Sequence, residues 1–399
     1  MHPVILSAYT MASCLGRGLG PTRAAMRDGA SRLIPCRFET VDLETYVGEI
    51  EGVDAQVLPA GLRHFDCRNN RAAEVGLMQD GFVEAVEGAR RRHGAARIGV
   101  FMGTSTAGIL QTELAYRRRA ADGSLPADFD YAHTHSTFSV GDYVRTRLGL
   151  AGPGVVVSTA CSSSAKVFAN AARFLDAGLI DAAVVGGVDT LCLTTLYGFN
   201  SLQLLSTQPC RPYDEQRDGI SIGEAAAFFL LERVGDGASP QSLALLGVGE
   251  SCDAYHMSSP HPEGLGARIA MEAALAAAAM GARGIDYVNL HGTGTPSNDA
   301  AEDRAVSGLF GHDVPVNSTK GMTGHALGAA GAAEAVISVL ALAEGWVPAS
   351  PGTRTIDPAL KARYEVAGGP RALRRVMSNS FGFGGSNCSL VFGRLGTAP

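Results

Sequence analysis

The residue best suited to covalent chemistry is Cys161, which lies in the segment Ser158-Thr-Ala-Cys-Ser-Ser-Ser. Residues 154–158 predict a buried strand, and residues 162–176 predict a helix that stops before Gly178. A cysteine at such a strand–turn–helix corner is exposed as in a nucleophile elbow. The free N–H groups at the helix start favour a thiolate and lower a pKa that is ordinarily ~8.5. Because most cysteines are small buried residues, position alone leaves both interpretations open.

Two histidines lie beside glycine-rich loops, where proteins commonly bind ligands. His291 ends a predicted strand and starts the loop His-Gly-Thr-Gly-Thr-Pro, whereas His325 closes the segment Lys320-Gly-Met-Thr-Gly-His. In the first loop, Thr293 and Thr295 are either turn formers or hydrogen-bond donors to a polar ligand arm. Taken singly, each histidine would more often be structural, so the sequence pattern leaves that alternative open.

A third candidate is the segment Ser380-Phe-Gly-Phe-Gly-Gly-Ser-Asn, which links two predicted strands near the end of the chain. Its glycines would let the backbone approach a ligand closely and leave N–H groups free to donate hydrogen bonds. The alternative is an ordinary hairpin turn.

The elements that must position these residues follow an α/β pattern, in which β-branched strands alternate with alanine-rich helices. Two segments that begin with Ser-Thr, at residues 158 and 318, each follow an apolar strand and open such a helix. This similarity favours an internal duplication, with coincidence as the alternative. The predicted strands considered below are 97–102, 154–158, 182–187, 287–290 and 375–380.

A linker is predicted at residues 234–241, where Gly, Asp, Ser and Pro cluster between two periodic segments. We therefore divide the chain into an N-terminal half, residues 1–235, which carries Cys161, and a C-terminal half, residues 242–399, which carries both histidines.

Composition excludes several classes of protein. The formal net charge of −6 argues against general nucleic-acid binding, which needs an excess of basic residues. No uninterrupted apolar run reaches about 18 residues, so no membrane span is expected. The N-terminus lacks the cationic start of a signal peptide, and we expect a cytoplasmic protein. The eight cysteines form no Cys-x-x-Cys pair, which disfavours a zinc site or a disulfide framework.

Together, these motifs resemble the β-ketoacyl-ACP synthases, the decarboxylating condensing enzymes of the thiolase superfamily. The resemblance runs in order along essentially the whole chain. It extends to Arg211-Pro-Tyr-Asp-Glu-Gln-Arg-Asp-Gly and Asp253-Ala-Tyr-His-Met. It implies an α/β thiolase fold, with two duplicated βαβαβαββ halves in a layered αβαβα arrangement, which agrees with the suspected repeat.

The resemblance also implies catalytic roles. Cys161 would be the nucleophile that takes an acyl group from an acyl carrier protein. Its backbone N–H and that of Phe383 would form the oxyanion hole, and Phe383 would gate the entry of malonyl-ACP. His291 and His325, both neutral, would donate hydrogen bonds to the malonyl thioester carbonyl and stabilise the enolate formed as CO2 leaves.

Further implied roles concern orientation and partners. Lys320 would orient His325, with Glu302 as its charge partner, and Thr293 and Thr295 would bind the phosphopantetheine arm. No metal and no redox cofactor is expected, because the carrier protein brings the phosphopantetheine. The expected assembly is a homodimer or a heterodimer with a chain-length-factor-like homologue, with no nucleic-acid or membrane partner.

The acyl pocket is inferred from the same resemblance, with Phe199 as a stacking wall and Phe381 as another lining residue. Thr106 aligns with the pocket floor, and the segment that begins His133-Thr134 aligns with a stretch that reaches in from the dimer partner. Because a buried unpaired polar group is unfavourable by about 1–3 kcal/mol beside a hydrocarbon, these residues predict an unsaturated or aryl-ended acyl chain. Alternatively, Thr106 bonds backbone and His133 faces solvent.

Two other functions remain as alternatives. A thiolase would need a second cysteine in the final glycine loop, but that loop holds Phe381, Phe383 and Ser386, and Cys388 lies beyond it. A chain-length factor would lack the nucleophile, whereas Cys161 is present.

One family feature is missing from the expected carrier-protein docking surface. Gln203 stands where a basic side chain is expected. Arg63, Arg68 and Arg71 are the proposed substitutes, since an acidic enzyme still needs a local positive patch for an acidic partner.

Overall fold

The computed structural model describes residues 1–235 and 237–397, in which helices cover both faces of a large mixed sheet. In chain order the strands are β1 (Val4–Ser13), β2 (Gly16–Arg17), β3 (Ile34–Pro35), β4 (Tyr46–Gly48), β5 (Ile98–Gly103), β6 (Gly154–Val157), β7 (Ala182–Asp189), β8 (Ile222–Gly223), β9 (Ala225–Arg233), β10 (Leu243–Cys252), β11 (Tyr287–Asn289), β12 (Pro315–Asn317), β13 (Trp346–Val347), β14 (Arg363–Tyr364), β15 (Gly369–Pro370), β16 (Arg375–Gly382) and β17 (Ser386–Arg394). The five predicted strands are present, with ends displaced by at most two residues.

The helices fall mainly between the strands, as the α/β pattern predicts. They are α1 (Leu19–Asp28), α2 (Arg68–Leu77), α3 (Phe82–His93), α4 (Ile109–Arg117), α5 (Phe138–Arg147), α6 (Ser163–Asp176), α7 (Leu193–Ser201), α8 (Leu265–Ala277), α9 (Pro296–Phe310), α10 (Lys320–Thr323) and α11 (Ala330–Glu344). A π-helical turn spans Tyr131–His135, and short 3₁₀ turns include Leu327–Ala329 and Phe383–Gly385. The predicted helix 162–176 is α6, which ends before Gly178 in its left-handed conformation (φ 68°).

The sheet order shows the duplication directly. From one edge inward, the first half runs β6-β5-β7-β9-β1 and the second runs β12-β11-β16-β17-β10, with β14 added outside β12. In each half the first three of these strands are parallel and the next two antiparallel. The halves meet where β1 pairs with β10. The predicted duplication and thiolase fold are therefore confirmed.

The core of the described residues lies in four apolar clusters, three of which pack helices against the sheet. One cluster packs α2, α3 and α5 on the outer face of the first half, and another packs α8 and α9 on the outer face of the second. The central cluster holds α6 and α11 between the two halves. The 18-residue stretch Leu327–Glu344 is apolar enough to cross a membrane, but 89% of it is buried inside the protein. It is the central helix of this core.

Two predictions about boundaries have different outcomes. The predicted linker falls between β9 and β10, with Asp236 outside the described residues, and the division at residues 235 and 242 stays a prediction. The second alanine-rich helix begins later than expected, because α10 and a 3₁₀ turn precede α11. This insertion carries Lys320 and His325 and has no counterpart before α6.

Candidate active site

Cys161 lies on a tight turn between β6 and α6 that is held in an unusual backbone conformation. Ala160 has φ 51°, a left-handed value that is uncommon for alanine. The Ser163 hydroxyl fixes this turn, because it accepts the Thr159 N–H at 2.9 Å and donates to the Ala160 carbonyl at 2.6 Å. Strain of this kind is typical of functional sites and aims the Cys161 side chain at the cavity.

The predicted lowering of the Cys161 pKa is wrong. Burial raises the pKa of this thiol to about 11, although the Lys320 charge and the backbone N–H groups of Phe383 and Cys161 act in the opposite direction. The side chain is only 6% exposed, and α6 begins two residues later, at Ser163. Desolvation therefore outweighs the helix start, and the free enzyme holds a protonated thiol at neutral pH.

The final glycine loop is a hairpin connection that also lies against the nucleophile. Strands β16 and β17 pair as far as Gly382 and Ser386, and the turn Phe383–Gly385 joins them. A Cβ atom at Gly382 would lie 3.0 Å from the Thr159 carbonyl oxygen, which is an unusually tight contact, so glycine suits this close approach. The Phe383 N–H consequently faces the Cys161 sulfur. The hairpin interpretation is therefore confirmed, and the binding of a ligand by the loop N–H groups stays a prediction.

The two histidines meet at Cys161. His325 Nε2 lies 3.0 Å from the Cys161 sulfur, and the rings of His291 and His325 are 5.2 Å apart at 83°. Both side chains are buried, and burial together with the Lys320 charge holds the pKa of each imidazole well below its usual value. Both rings are therefore neutral at physiological pH.

Lys320 contacts different residues from those expected. Its ammonium is fully buried, donates to the Glu334 carboxylate and the His291 carbonyl, and lies 3.4 Å from His291 Nδ1. The expected pairing with Glu302 is therefore wrong, and the hydrogen bonds of Lys320 go to His291 and Glu334, while its role in orienting His325 stays a prediction. Burial raises the pKa of Glu334 to about 7, and the adjacent Lys320 opposes the rise. The physical reason is that α11 carries Glu334 to the Lys320 ammonium, whereas the Glu302 carboxylate is held by the His291 loop.

Glu302 instead holds the His291 loop. One carboxylate oxygen accepts the His291 N–H at 2.8 Å, and the other accepts the Gly292 N–H at 2.7 Å and the Tyr213 hydroxyl at 2.6 Å. Two backbone groups are thereby fixed by one buried side chain. Glu302 acts on the position of His291 through the backbone rather than on the charge of Lys320.

Asp299, one turn earlier on α9, holds the remainder of the same loop and was missed by sequence reasoning. It accepts the N–H groups of Thr293 at 3.1 Å and Gly294 at 3.2 Å. The hydroxyls of Thr293 and Thr295 lie 2.9 Å apart. A signal for Asp299 was available, because acidic residues three apart at a helix start commonly accept backbone N–H groups of the preceding loop. Glu334 had a signal too, as the single charge within the apolar stretch 330–343.

One cavity connects these groups. The Phe199 and Phe383 rings are 5.7 Å apart within its wall. The sequence-predicted residues that line it are Cys161, His291, His325, Thr293, Thr295, Phe199, Phe381 and Phe383. The structure thus brings together eight residues that the chain spreads over more than half its length.

Thr106 does not line this cavity, and the polar groups of the predicted floor are satisfied within the chain, whereas a contribution of the His133-Thr134 segment to a partner's pocket stays a prediction. The Thr106 hydroxyl donates to buried Asp189 at 2.7 Å, and Thr134 donates to the Asp130 carbonyl. His133 Nδ1 lies 2.6 Å from the Asp130 carboxylate and its side chain is 42% exposed. Asp189 also accepts hydrogen bonds from residues 104 and 105, so it anchors the whole segment.

The proposed docking arginines do not form a patch. Arg68 is buried beside Glu224 at 2.7 Å and Asp54 at 2.6 Å, so it is unavailable to a partner, and that assignment is wrong. Arg71 pairs with Asp66 at 2.6 Å. Arg63 and Gln203 are exposed. Of the three arginines, Arg63 alone has no ion pair within the described residues.

Comparison with known families decides the broad identity. Residues 65–236 match the family model "Beta-ketoacyl synthase, N-terminal domain", and residues 243–354 match "Beta-ketoacyl synthase, C-terminal domain". The chain belongs to the β-ketoacyl synthase family. It is therefore a condensing enzyme of the acyltransferase type, and the thiolase alternative is set aside.

Individual relatives agree over the full length. The 3-oxoacyl-[acyl-carrier-protein] synthase 2 of Vibrio cholerae is 31% identical, over 98% of this chain and 99% of its own. Among solved structures, a chain from the ketosynthase ApeO in complex with its chain length factor ApeC from Xenorhabdus doucetiae has a TM-score of 0.89 at 37% identity, with 98% of each chain covered. A β-ketoacyl synthase from Burkholderia phymatum has a TM-score of 0.87 at 27% identity, covering 99% of this chain and 100% of its own.

Proposed function

We propose that this β-ketoacyl synthase condenses an acyl-ACP with malonyl-ACP, through an acyl group on Cys161, to give a 3-oxoacyl-ACP and CO2. The observation that carries this proposal is the arrangement around the Cys161 sulfur, with His325 Nε2 at 3.0 Å and the Phe383 N–H facing it. Synthases for fatty acids and ketosynthases with chain length factors both occur among the relatives, so either pathway is compatible.

In the first half-reaction the Cys161 thiol attacks the acyl thioester carbonyl. Neutral His325 accepts the thiol proton through Nε2 and passes it to the departing phosphopantetheine thiolate. The carbonyl oxygen, which gains negative charge, accepts hydrogen bonds from the N–H groups of Cys161 and Phe383. The acyl group ends on the sulfur, and the carrier protein leaves as a free thiol.

In the second half-reaction the histidines act as hydrogen-bond donors. Lys320 lies against His291 Nδ1, which makes that nitrogen an acceptor and places the ring proton on Nε2. After acylation the ring proton of His325 would have to move from Nδ1 to Nε2, and the Nε2–H groups of both histidines would then bind the malonyl thioester oxygen and stabilise the enolate as CO2 leaves. The enolate carbon attacks the acyl-Cys161 carbonyl, the Cys161 sulfur departs as a thiolate, and the thiolate takes a proton from solvent water. These steps require no metal or redox cofactor.

The phosphopantetheine arm of the carrier protein would reach this centre along the Thr293 and Thr295 hydroxyls, which line the cavity. Phe383 would gate the passage, since its ring packs beside Phe199 across the cavity. Exposed Arg63 is the remaining candidate for a contact with the acidic carrier protein. Arg63→Glu should raise the KM for malonyl-ACP without altering kcat, whereas an unchanged KM would remove Arg63 from the docking surface.

We further propose a dimer formed through the face around β6. This strand is an edge of the large sheet, and Tyr116, Tyr131 and Phe138 near it are more than half exposed. An apolar face of this kind beside an unpaired edge suits a second subunit. The relatives that carry chain length factors favour a heterodimer with such a homologue, and a homodimer is the alternative. Native mass spectrometry of the purified assembly would distinguish the heterodimer from the homodimer.

We also propose that the enzyme is located in the cytoplasm.

The decisive test is acylation of the intact protein by acyl-ACP, followed by peptide mapping. Cys161 should carry the acyl group and Cys161→Ala should carry none. Cys388→Ser is the matched control, since Cys388 is buried on the adjacent β17 and should be silent. An acyl group found on Cys388, or none on Cys161, would overturn the proposed function.

A further inference from the structure

Cys161, His291 and His325 form a compact set of metal-ligating atoms. One donor atom from each lies within 4.8 Å of the others, and all three side chains are buried. They come from three separate elements, namely the turn after β6, the end of β11 and the loop after α10. Spacing along the chain could not reveal this cluster, and hence the sequence argument against zinc does not apply to it.

The cluster fits Zn²⁺ in chemistry and size. Zinc prefers thiolate and imidazole ligands in a tetrahedron, with bonds of ~2.3 Å to sulfur and ~2.0–2.1 Å to nitrogen, which places donor atoms ~3.3–3.7 Å apart. The Cys161 sulfur and His325 Nε2 are 3.0 Å apart, and all three donor atoms lie within 4.8 Å of one another, so the side chains would have to shift by up to about 1 Å to reach this spacing. The fourth position would open into the cavity, where water can occupy it.

We propose that Zn²⁺ binds reversibly to Cys161, His291 and His325 and inhibits the enzyme. The inference concerns regulation of the same site and rests on the proposed function. On binding, the Cys161 thiol releases its proton to solvent and the sulfur bonds to the metal, with no change of oxidation state. The bound metal blocks the nucleophile and occupies the nitrogens that would contact the malonyl thioester.

Lys320 opposes this metal and provides a distinctive test. Binding through His291 Nε2 moves the ring proton to Nδ1, where the Lys320 ammonium lies 3.4 Å away and would have to turn aside. Replacing Lys320 by methionine removes that positive charge and leaves Glu334 unpaired nearby. Lys320→Met should therefore bind the metal at least tenfold more tightly while losing condensation activity. A site that is merely damaged by the substitution would lose both metal binding and condensation activity.

The direct test uses Co²⁺ as a spectroscopic probe for Zn²⁺ in the full-length protein. The wild type should show a thiolate-to-cobalt charge-transfer absorption, which Cys161→Ser abolishes and equimolar Zn²⁺ displaces. His291→Asn should weaken binding by at least tenfold, whereas Cys388→Ser should match the wild type. Thermal unfolding of each variant confirms that it is folded.

A second readout is protection of the thiol. Zn²⁺ should shield Cys161 from iodoacetamide, and EDTA should restore labelling. Zinc bound equally well by Cys161→Ser, or a cobalt spectrum without the charge-transfer absorption, would show an adventitious ion only and overturn the proposal. The outcomes are separable, because failed acylation with intact cobalt binding refutes the proposed function, and the reverse result refutes the metal site.

Discussion

The two halves of the molecule use equivalent positions for different chemistry. In the first half, β6 leads within a few residues into α6, and the short turn presents Cys161. In the second half, β12 leads into the inserted α10 and a 3₁₀ turn before α11, and this longer path presents Lys320 and His325. Because α6 and α11 pack together in the central layer, the two ends meet. The duplicated scaffold thus places the nucleophile of one half, Cys161, against the charge-stabilising residues of the other half.

The loops after β5 and β11 also occupy equivalent positions in the two halves and have different roles. After β5, Asp189 accepts hydrogen bonds from residues 104–106 and holds that segment away from the cavity. After β11, Asp299 and Glu302 accept backbone N–H groups and leave the side chains of His291 and Thr293 free for the cavity. Asp189 binds the side-chain hydroxyls of the segment that it holds, whereas Asp299 and Glu302 bind only the backbone of the His291 loop and leave the side chains of that loop available.

The largest loss of activity is expected on replacing the histidines. The two replacements should affect different half-reactions. His291→Ala should lower malonyl-ACP decarboxylation by roughly 10²–10³ while acyl transfer to Cys161 continues. His325→Ala should impair both steps, because His325 also contacts the sulfur. Single-turnover acylation and CO2 release, measured separately, would check this. Equal acylation rates in the two variants would contradict the division of labour.

Loss of the Glu334 charge, which pairs with buried Lys320, should destabilise the protein more than loss of the Glu302 charge in the His291 loop. Glu334→Gln leaves the fully buried Lys320 unpaired, and removing one partner of such a pair typically destabilises a protein by about 3–5 kcal/mol. Glu302→Gln retains an acceptor for the loop N–H groups and should lose less. Chemical denaturation of both variants measures the contrast, which equal losses would refute.

Acidification should reveal the depressed histidine pKa values. In the unfolded chain each histidine takes up a proton near pH 6.5, whereas burial keeps the folded imidazole neutral, so stability falls as pH drops below 6.5. The effect is about 1.4 kcal/mol per pH unit for each histidine until its folded pKa is reached. Glu334 has the opposite effect on stability. Its pKa is raised to about 7 in the folded protein, so its folded carboxylate takes up a proton at a higher pH than in the unfolded chain.

His325→Asn should remove one histidine's share of this slope, which denaturation curves between pH 5 and 8 would measure. The matched control is His312→Asn, at an exposed position outside the site. Equal slopes in the wild type and His325→Asn would show that the pKa of His325 is the same in the folded and unfolded protein, which would contradict the lowered pKa.

The smallest effects concern the acyl chain. Thr106→Val should destabilise the protein by about 1–3 kcal/mol through lost hydrogen bonding to Asp189, without changing the accepted chains. Phe199→Ala should instead reduce any preference for unsaturated or aryl-ended chains over saturated ones, since Phe199 lines the cavity. Competition assays with acyl-ACPs of equal length provide the measurement. A shifted profile in Thr106→Val would return Thr106 to the pocket.

The sequence by itself determined the fold class, the duplication and the set of motifs that meet in the cavity. Periodicity of apolar residues dictates strands and helices locally, and glycine-rich loops at strand ends mark where ligands approach. For this reason the segments around Cys161, His291, His325 and Phe383 could be singled out before any coordinates were known.

Only the tertiary structure decided which groups face each other and how deeply they are buried. Glu334 lies fourteen residues beyond Lys320, and α11 brings its carboxylate to the Lys320 ammonium, whereas the family resemblance suggests Glu302. The pKa of Cys161 rises to about 11 because desolvation depends on atoms from distant segments, whereas the helix start is local. Pairing and burial are non-local quantities, and a chain read in order does not contain them.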